Sequence, residues 1–301
     1  MRVVVTGGAG FIGSHVVDAL LARGDEVWVV DSLATGKREN VAPGARLEVR
    51  DVRDPLDDLF AEARPEVVFH LAAQADVRVS VEKPLEDADV NVLGTVRVLE
   101  AARAHDAQVI FSSTGGAIYG ECAGPAPETA RLEPISPYGT AKLAAEEYLR
   151  TYNRLHGTRH VSLRYGNVYG PRQDPHGEAG VVAIFLGALA RGDRARIFGD
   201  GLQTRDYVYV GDVARATLAA VGHEGGVFNV GTGRETSVVE LYELCRTVAG
   251  SEQEAEYAAA RLGELRRSVL DPTLAAQELS FRAMVELEDG LRATWDSLRE
   301  E

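Results

Sequence analysis

Apolar positions in the first half of the chain alternate between two patterns. Short runs rich in β-branched and aromatic residues occupy positions 2–6, 26–31, 46–50, 67–71, 108–112 and 160–164, and these predict strands. Between them, positions 13–23, 55–63, 89–105 and 137–156 carry apolar side chains at helical spacing, which predicts helices. Alternating strands and helices build a parallel sheet covered on both faces, since every crossover helix must bury its apolar stripe against the sheet. Right-handed crossovers bring the carboxyl ends of the strands to one edge, where open α/β sheets bind their ligands. The expected fold class is α/β, a doubly wound parallel sheet.

Beyond this region the pattern changes. Leu163-Arg164-Tyr165-Gly166-Asn167-Val168-Tyr169-Gly170-Pro171 passes from a strand into a glycine- and proline-rich loop, which marks a boundary. We expect one domain over 1–165 and a smaller one over 166–301, with about 206–233 returning to the first. Positions 274–301 read as helical, with Leu279, Phe281, Leu287, Leu291, Trp295 and Leu298 as core packing.

Composition narrows the classes. The chain has 301 residues and is 45% hydrophobic, enough for one large core or two unequal ones. No run approaches the roughly 18 apolar residues of a membrane span, and the N-terminus enters a strand without a charged leader, so we expect a cytoplasmic protein that needs no membrane. A net charge of −14 disfavours nucleic-acid binding. Cys122 and Cys245 have no metal-ligand spacing, and no metal is expected. Lysine occurs only at 37, 83 and 142.

Candidate chemistry lies at the predicted strand ends. Thr6-Gly7-Gly8-Ala9-Gly10-Phe11-Ile12-Gly13 follows the first strand and opens the first helix. Glycines at 7, 10 and 13 permit a tight turn, close approach to a pyrophosphate and helix packing, and the free N–H groups of the helix start face the anion. Asp31 ends the second strand, where a carboxylate accepts from the adenosine ribose and repels a 2′-phosphate, so NAD is expected over NADP. Asp51 and Val52 suit an adenine, and the small residues of His70-Leu71-Ala72-Ala73-Gln74 let the chain pass close to a ribose or pyrophosphate. Ser112-Ser113-Thr114-Gly115-Gly116 supplies hydroxyls at the fifth strand end.

The following helix carries Tyr138-Gly139-Thr140-Ala141-Lys142, which sets a phenol and an ammonium on one face at i and i+4. A phenol titrates near 10, and a neighbouring cation favours its ionised form. Lys142 and an oxidised nicotinamide would supply two positive charges. Such a tyrosine can take a proton from a carbinol while hydride leaves the same carbon.

The glycine turn, Ser112-Ser113-Thr114 and Tyr138-x-x-x-Lys142 together resemble the extended short-chain dehydrogenase/reductase family, and over nearly the whole length the chain is similar to its nucleotide-sugar 4-epimerases of the UDP-glucose/UDP-galactose type. The resemblance implies a Rossmann-type sheet with a C-terminal substrate-binding domain, NAD as cofactor, and a reversible 4-epimerisation through a 4-keto sugar. Gly7, Gly10 and Gly13 would hold the pyrophosphate, Asp31 the ribose, Asp51 and Val52 the adenine, and Lys37 would reach the phosphates. Expected cofactor contacts also include Phe11, Ile12, Ser32, Thr35, Gly36, Leu71, Ala72, Ala73, Gln74, Asn91, Ser112 and Tyr165. Tyr138 would be the base, Lys142 would orient the nicotinamide ribose and lower the tyrosine pKa, and Thr114 would hydrogen-bond the sugar hydroxyl. Because Gly115-Gly116-Ala117 is one residue longer than in many relatives, Ser113 is the alternative hydroxyl.

For the UDP-sugar, the resemblance implies contacts from Asn167, Val181, Val182, Arg196, Ile197, Phe198, Arg205, Tyr207, Arg261 and Glu264. Ser268 falls where a bulky residue in some relatives excludes N-acetylated sugars, so UDP-GlcNAc and UDP-GalNAc are candidate substrates. A homodimer joined by the helices around 89–105 and 137–156 is implied as well. Two other readings compete: another nucleotide-sugar oxidoreductase or dehydratase, and a non-catalytic NAD sensor. The family's dehydratases follow the threonine with Asp-Glu, because elimination needs a further acid and base. Here glycines follow.

Overall fold

The computed structural model describes residues 1–174, 180–260 and 265–300. Seven parallel strands form the central sheet: β1 (Arg2–Thr6), β2 (Glu26–Asp31), β3 (Arg46–Val49), β4 (Val67–His70), β5 (Gln108–Thr114), β6 (Val161–Tyr165) and β7 (Gly226–Val230), in the spatial order β7-β6-β5-β4-β1-β2-β3. The order reverses between β1 and β4. The crevice of a doubly wound sheet therefore opens at the carboxyl ends of these two strands.

Alternation along β1 explains the two faces. Val3 and Val5 join one core with Val16, Val17 and Leu20 of α1 (Phe11–Ala22), while Val4 joins the other with Leu59 and Phe60 of α2 (Asp57–Ala63). Past two short helices, α3 (Val77–Glu82) and α4 (Pro84–Ala88), the second core also takes Val98 and Leu99 of α5 (Gly94–Arg103) and Ala145 and Leu149 of α6 (Pro137–His156). Side chains with no water-facing surface on either face are what allow runs such as Val3-Val4-Val5 to be apolar without interruption.

The remaining helices divide between the sheet and a separate cap. α8 (Val210–Ala219) packs on the first core through Val213, Ala214 and Ala216, whereas α7 (Val181–Arg191), α9 (Val238–Ala249) and α11 (Leu287–Glu300) enclose a third core around Phe185, Leu241, Tyr242 and Leu291. α10 (Thr273–Glu278) returns to the sheet with Ala275. Short strands stiffen the cap: 196–198 pairs with 256–258, 167–169 with 207–209, and 204–205 lies between 236–237 and 267–268. No helix among the described residues is long and apolar enough to cross a membrane.

Three expectations about elements need correction. The tail expected as one helix over 274–301 is two, because residues 279–286 turn to bury Leu279 and Phe281 in the sheet core before α11 enters the cap. The helix expected over 89–105 begins with a π turn, Asp89–Leu93, and the segment joining it to α6 holds β5 two residues longer than expected, through Thr114. β7 was not among the expected strands.

Candidate functional site

The glycine turn is shaped first by packing. Gly7 has φ +72°, and a Cβ there would meet Ala72 N at 2.6 Å, so only a bare residue lets the backbone just past β4 run this close to the turn. A Cβ on Gly13 would lie 2.1 Å from the Gly7 carbonyl oxygen. Gly10, the N-cap of α1, differs: its Cβ would meet only Gly7 O at 3.3 Å. The outer face of the turn is thus open at the start of a helix whose N-cap carries no side-chain acceptor, as anion binding requires. Asp31 is buried beside it and accepts from Ala9 N at 3.0 Å and Leu33 N at 2.8 Å, which leaves carboxylate lone pairs for a diol. Lys37 N and Asn40 Nδ2 both donate to Ala9 O, folding residues 32–40 over the turn, while Ser32, Thr35 and the Lys37 side chain stay exposed and Gly36 packs on Asp31. These features fit a dinucleotide.

The next strand ends are tied to this turn by a buried histidine. Thr6 Oγ1 meets His70 Nδ1 at 2.7 Å, and His70 Nε2 meets Thr95 Oγ1 at 3.0 Å. Because Thr95 spends its proton on Asn91 O, the network assigns the hydrogen to Nε2. Burial pushes His70 down to about 3, so it is a neutral strut. Leu71, Ala72 and Ala73 are half-buried behind it, and Gln74 is clasped by Asn91, whose amide donates to Gln74 O at 2.9 Å and accepts from Gln74 N at 3.1 Å. Asn91 and Gln74 both donate to Asp87 Oδ1 at 2.9 Å. The π turn is what rolls Asn91 into this position, a use such turns often have. Val52 is buried in the sheet's second core and touches Gly94, but the Asp51 carboxylate is occupied by Arg53 at 2.8 to 3.0 Å, a partner the sequence reading did not include.

A cavity of about 270 Å³ lies past the ends of β5 and β6, lined by Phe11, Ile12, Ser112, Thr114, Tyr138, Tyr165, Asn167, Gln173, Val181, Val182 and Tyr207 among others. Ser112, Ser113 and Thr114 all contribute to this lining, but the Ser113 hydroxyl is committed elsewhere: it donates to Glu146 at 2.5 Å and the residue is 3% exposed. Tyr165 is held by Thr217 at 2.8 Å. No described residue lining the cavity bears a carboxylate.

Tyr138 and Lys142 share one face of α6. Lys142 is 2% exposed, donates to Ser112 O at 2.8 Å, and stands 5.9 Å from the Tyr138 ring centre. Burial lowers Lys142 to about 8, opposed by the anions Asp87 and Glu146. Burial raises the Tyr138 pKa above the ordinary phenol value, and the negative charge of Asp87 adds to the rise.

On the cap side, Arg205 is half-buried and donates to Thr204 O at 2.8 Å, while Asp206 between it and Tyr207 is buried and caps Thr232 and Gly233. Ser268 is buried, its hydroxyl 3.9 Å from where a Gly116 Cβ would stand, and the Asn167 side chain is 3.6 Å from the same point. On 196–198 the Ile197 side chain is 1% exposed in the cap core, so only its backbone is open to a ligand, while Arg196, on the face it shares with Phe198, lies 3.9 Å from Glu256. That leaves Phe198, half-buried, and the backbone for a base. Arg261 and Glu264 lie outside the described residues. Gln173 was not expected; its place in a Pro-Arg-Gln loop just past β6 was the available signal.

A model of the NAD dependent epimerase/dehydratase family matches residues 3–231. A UDP-glucose 4-epimerase of Mycolicibacterium smegmatis is 48% identical over 309 residues, covering 99% of each chain. Among solved structures, a UDP-glucose 4-epimerase with UDP-glucose from the hyperthermophile Thermotoga maritima aligns with a TM-score of 0.97 and 49% identity, covering 100% of this chain and 99% of that one. A Thermus thermophilus UDP-glucose 4-epimerase in complex with NAD aligns at 0.95 and 49%, covering 99% of each chain.

Proposed function

Since the chain belongs to the NAD dependent epimerase/dehydratase family, we propose that it interconverts UDP-glucose and UDP-galactose by reversible 4-epimerisation. The observation that carries this reading within the family is the pairing of Tyr138 and Thr114 across a cavity whose described lining has no carboxylate. Elimination of water from the sugar would require a further acid and base there. The full-length similarity to UDP-glucose 4-epimerases supports the same reaction.

Bound NAD would supply the hydride acceptor, and in its reduced form the donor, for sugar carbon 4, so the reaction would carry no net redox. Gly10 and the start of α1 would hold its pyrophosphate and Asp31 its ribose, supported by the open face of Gly10 and the remaining acceptor sites of Asp31. Lys142 orients the ribose from its anchor on Ser112 O. Tyr138 takes the proton of the 4-hydroxyl and gives it back, and Thr114 hydrogen-bonds the same oxygen. Cationic charge bound against Tyr138 would oppose the upward shift that burial gives its phenol.

Residues 166–301, less the segment of about 206–233 that returns to the sheet, are assigned to the nucleotide sugar, with Arg205 toward the diphosphate and Phe198 toward the base. The small, buried Ser268 supports acceptance of UDP-GlcNAc and UDP-GalNAc. Exposed Leu93, with exposed Tyr148 and Leu155 of α6, supports a homodimer through the helices around 89–105 and 137–156, and exposed Val77, Val81 and Leu85 on the two short helices before them would extend that apolar surface. The test is incubation of purified protein with a panel of nucleotide sugars and chromatography of the products. UDP-galactose and UDP-glucose should interconvert with no growth of reduced-nicotinamide absorbance; accumulation of reduced cofactor or of a dehydrated sugar would refute the reading.

A further inference from the structure

Behind the hydroxyl-bearing strand lies a buried ionic group that no step above uses. Arg164 of β6 and Glu146 of α6 are 1% and 0% exposed. The guanidinium fork meets the carboxylate twice, Nη2 to Oε2 at 2.6 Å and Nε to Oε1 at 2.9 Å. Ser113 Oγ donates to Oε1 at 2.5 Å. On the far side, Arg164 Nη1 donates to the Tyr119 hydroxyl at 2.8 Å, and that hydroxyl donates to Asn229 Oδ1 at 2.7 Å. The Asn229 amide then donates to the carbonyls of Ala126 at 2.8 Å and Asp271 at 3.1 Å.

Stability alone is a poor reason for such a group. Desolvating two charges costs several kcal/mol per ion, and a packed apolar pair commonly does as well. What a bidentate, fully partnered fork does supply is direction: it admits one arrangement of the elements that carry its partners. Here each member sits next to a group at the cavity. Ser113 lies between Ser112 and Thr114, Arg164 precedes Tyr165, and Glu146 is one helical turn beyond Lys142. A shift of Ser113 moves Thr114 with it on the other face of the strand.

We propose that Glu146 and Arg164 are positioning residues that, through Ser113 and Tyr119, hold Thr114 of β5 and the Tyr138–Lys142 face of α6 at the separation which proton and hydride transfer need. The inference rests on the 4-epimerase reading and adds to it residues that touch neither sugar nor cofactor.

Ser113→Ala and Tyr119→Phe each remove one hydroxyl from the chain while keeping the ion pair, and Glu146→Gln keeps the shape while removing the charge. The NAD-loaded proteins are compared for Tm, NAD content, kcat and KM with UDP-galactose, and for the isotope effect on kcat with substrate deuterated at sugar carbon 4. Ser113→Ala and Tyr119→Phe should stay folded and loaded, with kcat lower by about tenfold to a hundredfold, KM within about twofold and a larger isotope effect, as for a reacting geometry out of place. Folded, loaded variants with wild-type kcat and isotope effect would overturn the proposal. So would a kcat loss that merely follows lost NAD. Wild-type protein that fails to interconvert the two sugars would instead refute the reaction itself, and this inference with it.

Discussion

Replacing Gly13 by alanine probes the turn where it has least room. The new Cβ would stand 2.1 Å from Gly7 O, 2.8 Å from Gly7 C and 2.9 Å from Gly8 Cα. All three are backbone atoms, so no side-chain rotation relieves the contact, and α1 must move from the turn by about 1.3 Å to reach ordinary van der Waals distance. Val16, Val17 and Leu20 hold that helix in the core with no exposed surface, so the movement is paid in overpacking, about 1–3 kcal/mol. In a chain of this length that is a fall in Tm of several degrees. Gly10→Ala is the control. Its Cβ meets one atom at 3.3 Å and costs no more than about 1 kcal/mol as a poorer N-cap, yet it fills the face open to a pyrophosphate. Thermal unfolding of nucleotide-free protein, together with NAD released on denaturing the purified protein, separates the two. Gly13→Ala should lose both stability and NAD, and Gly10→Ala mainly NAD. A Gly13→Ala protein with wild-type Tm and NAD content would refute the steric reasoning.

Tyr138→Phe should lower turnover by about 10²–10⁴-fold with NAD content unchanged, and normal turnover would remove Tyr138 from the base role. His70 titrates near 3 in the fold and near 6.5 unfolded, so the unfolded chain binds the extra proton between these values; its contribution is present above pH 6.5 and is lost as pH falls toward 3, and urea melts should show a shallower slope in that window for His70→Asn. Ser268→Tyr should cut turnover of UDP-GalNAc about tenfold or more relative to UDP-galactose, measured by product chromatography, since the new ring must share space with Gly116 and Asn167. Val81→Asp with Leu85→Asp should give a monomer by sedimentation, since two charges cannot be buried unpaired in an apolar interface; an unchanged dimer would place the interface elsewhere.

Short-range pattern was enough for much of the fold. β1, β2 and α6 begin and end where the apolar period says, because a strand buried on both faces and a helix with a Ser136 cap and a Gly157 stop carry their instructions locally. The same holds for the glycine turn, for Asp31 at the end of β2, and for Tyr138 and Lys142 on one helical face. β7 escaped notice because Gly226-Val227-Phe228-Asn229-Val230 opens on a glycine and is interrupted by an asparagine, whose burial makes sense only beside Tyr119.

Partners across elements were not legible in this way. Nothing local marks Glu146 as the partner of Arg164, although an arginine in an otherwise apolar strand is a signal that it is buried and paired. Which hydroxyl of β5 is taken up by Glu146 and whether Ile197 meets a ligand or the core depend on register and on which side chain arrives opposite. Tyr138 shows the same division in its chemistry. Sequence placed a cation one turn away, but burial and the charge of Asp87, from a helix some fifty residues earlier, set the sign of the pKa shift. Periodicity fixes which face of an element is apolar; the closing of the sheet alone decides which polar groups are left together away from water, and there each interaction is strongest.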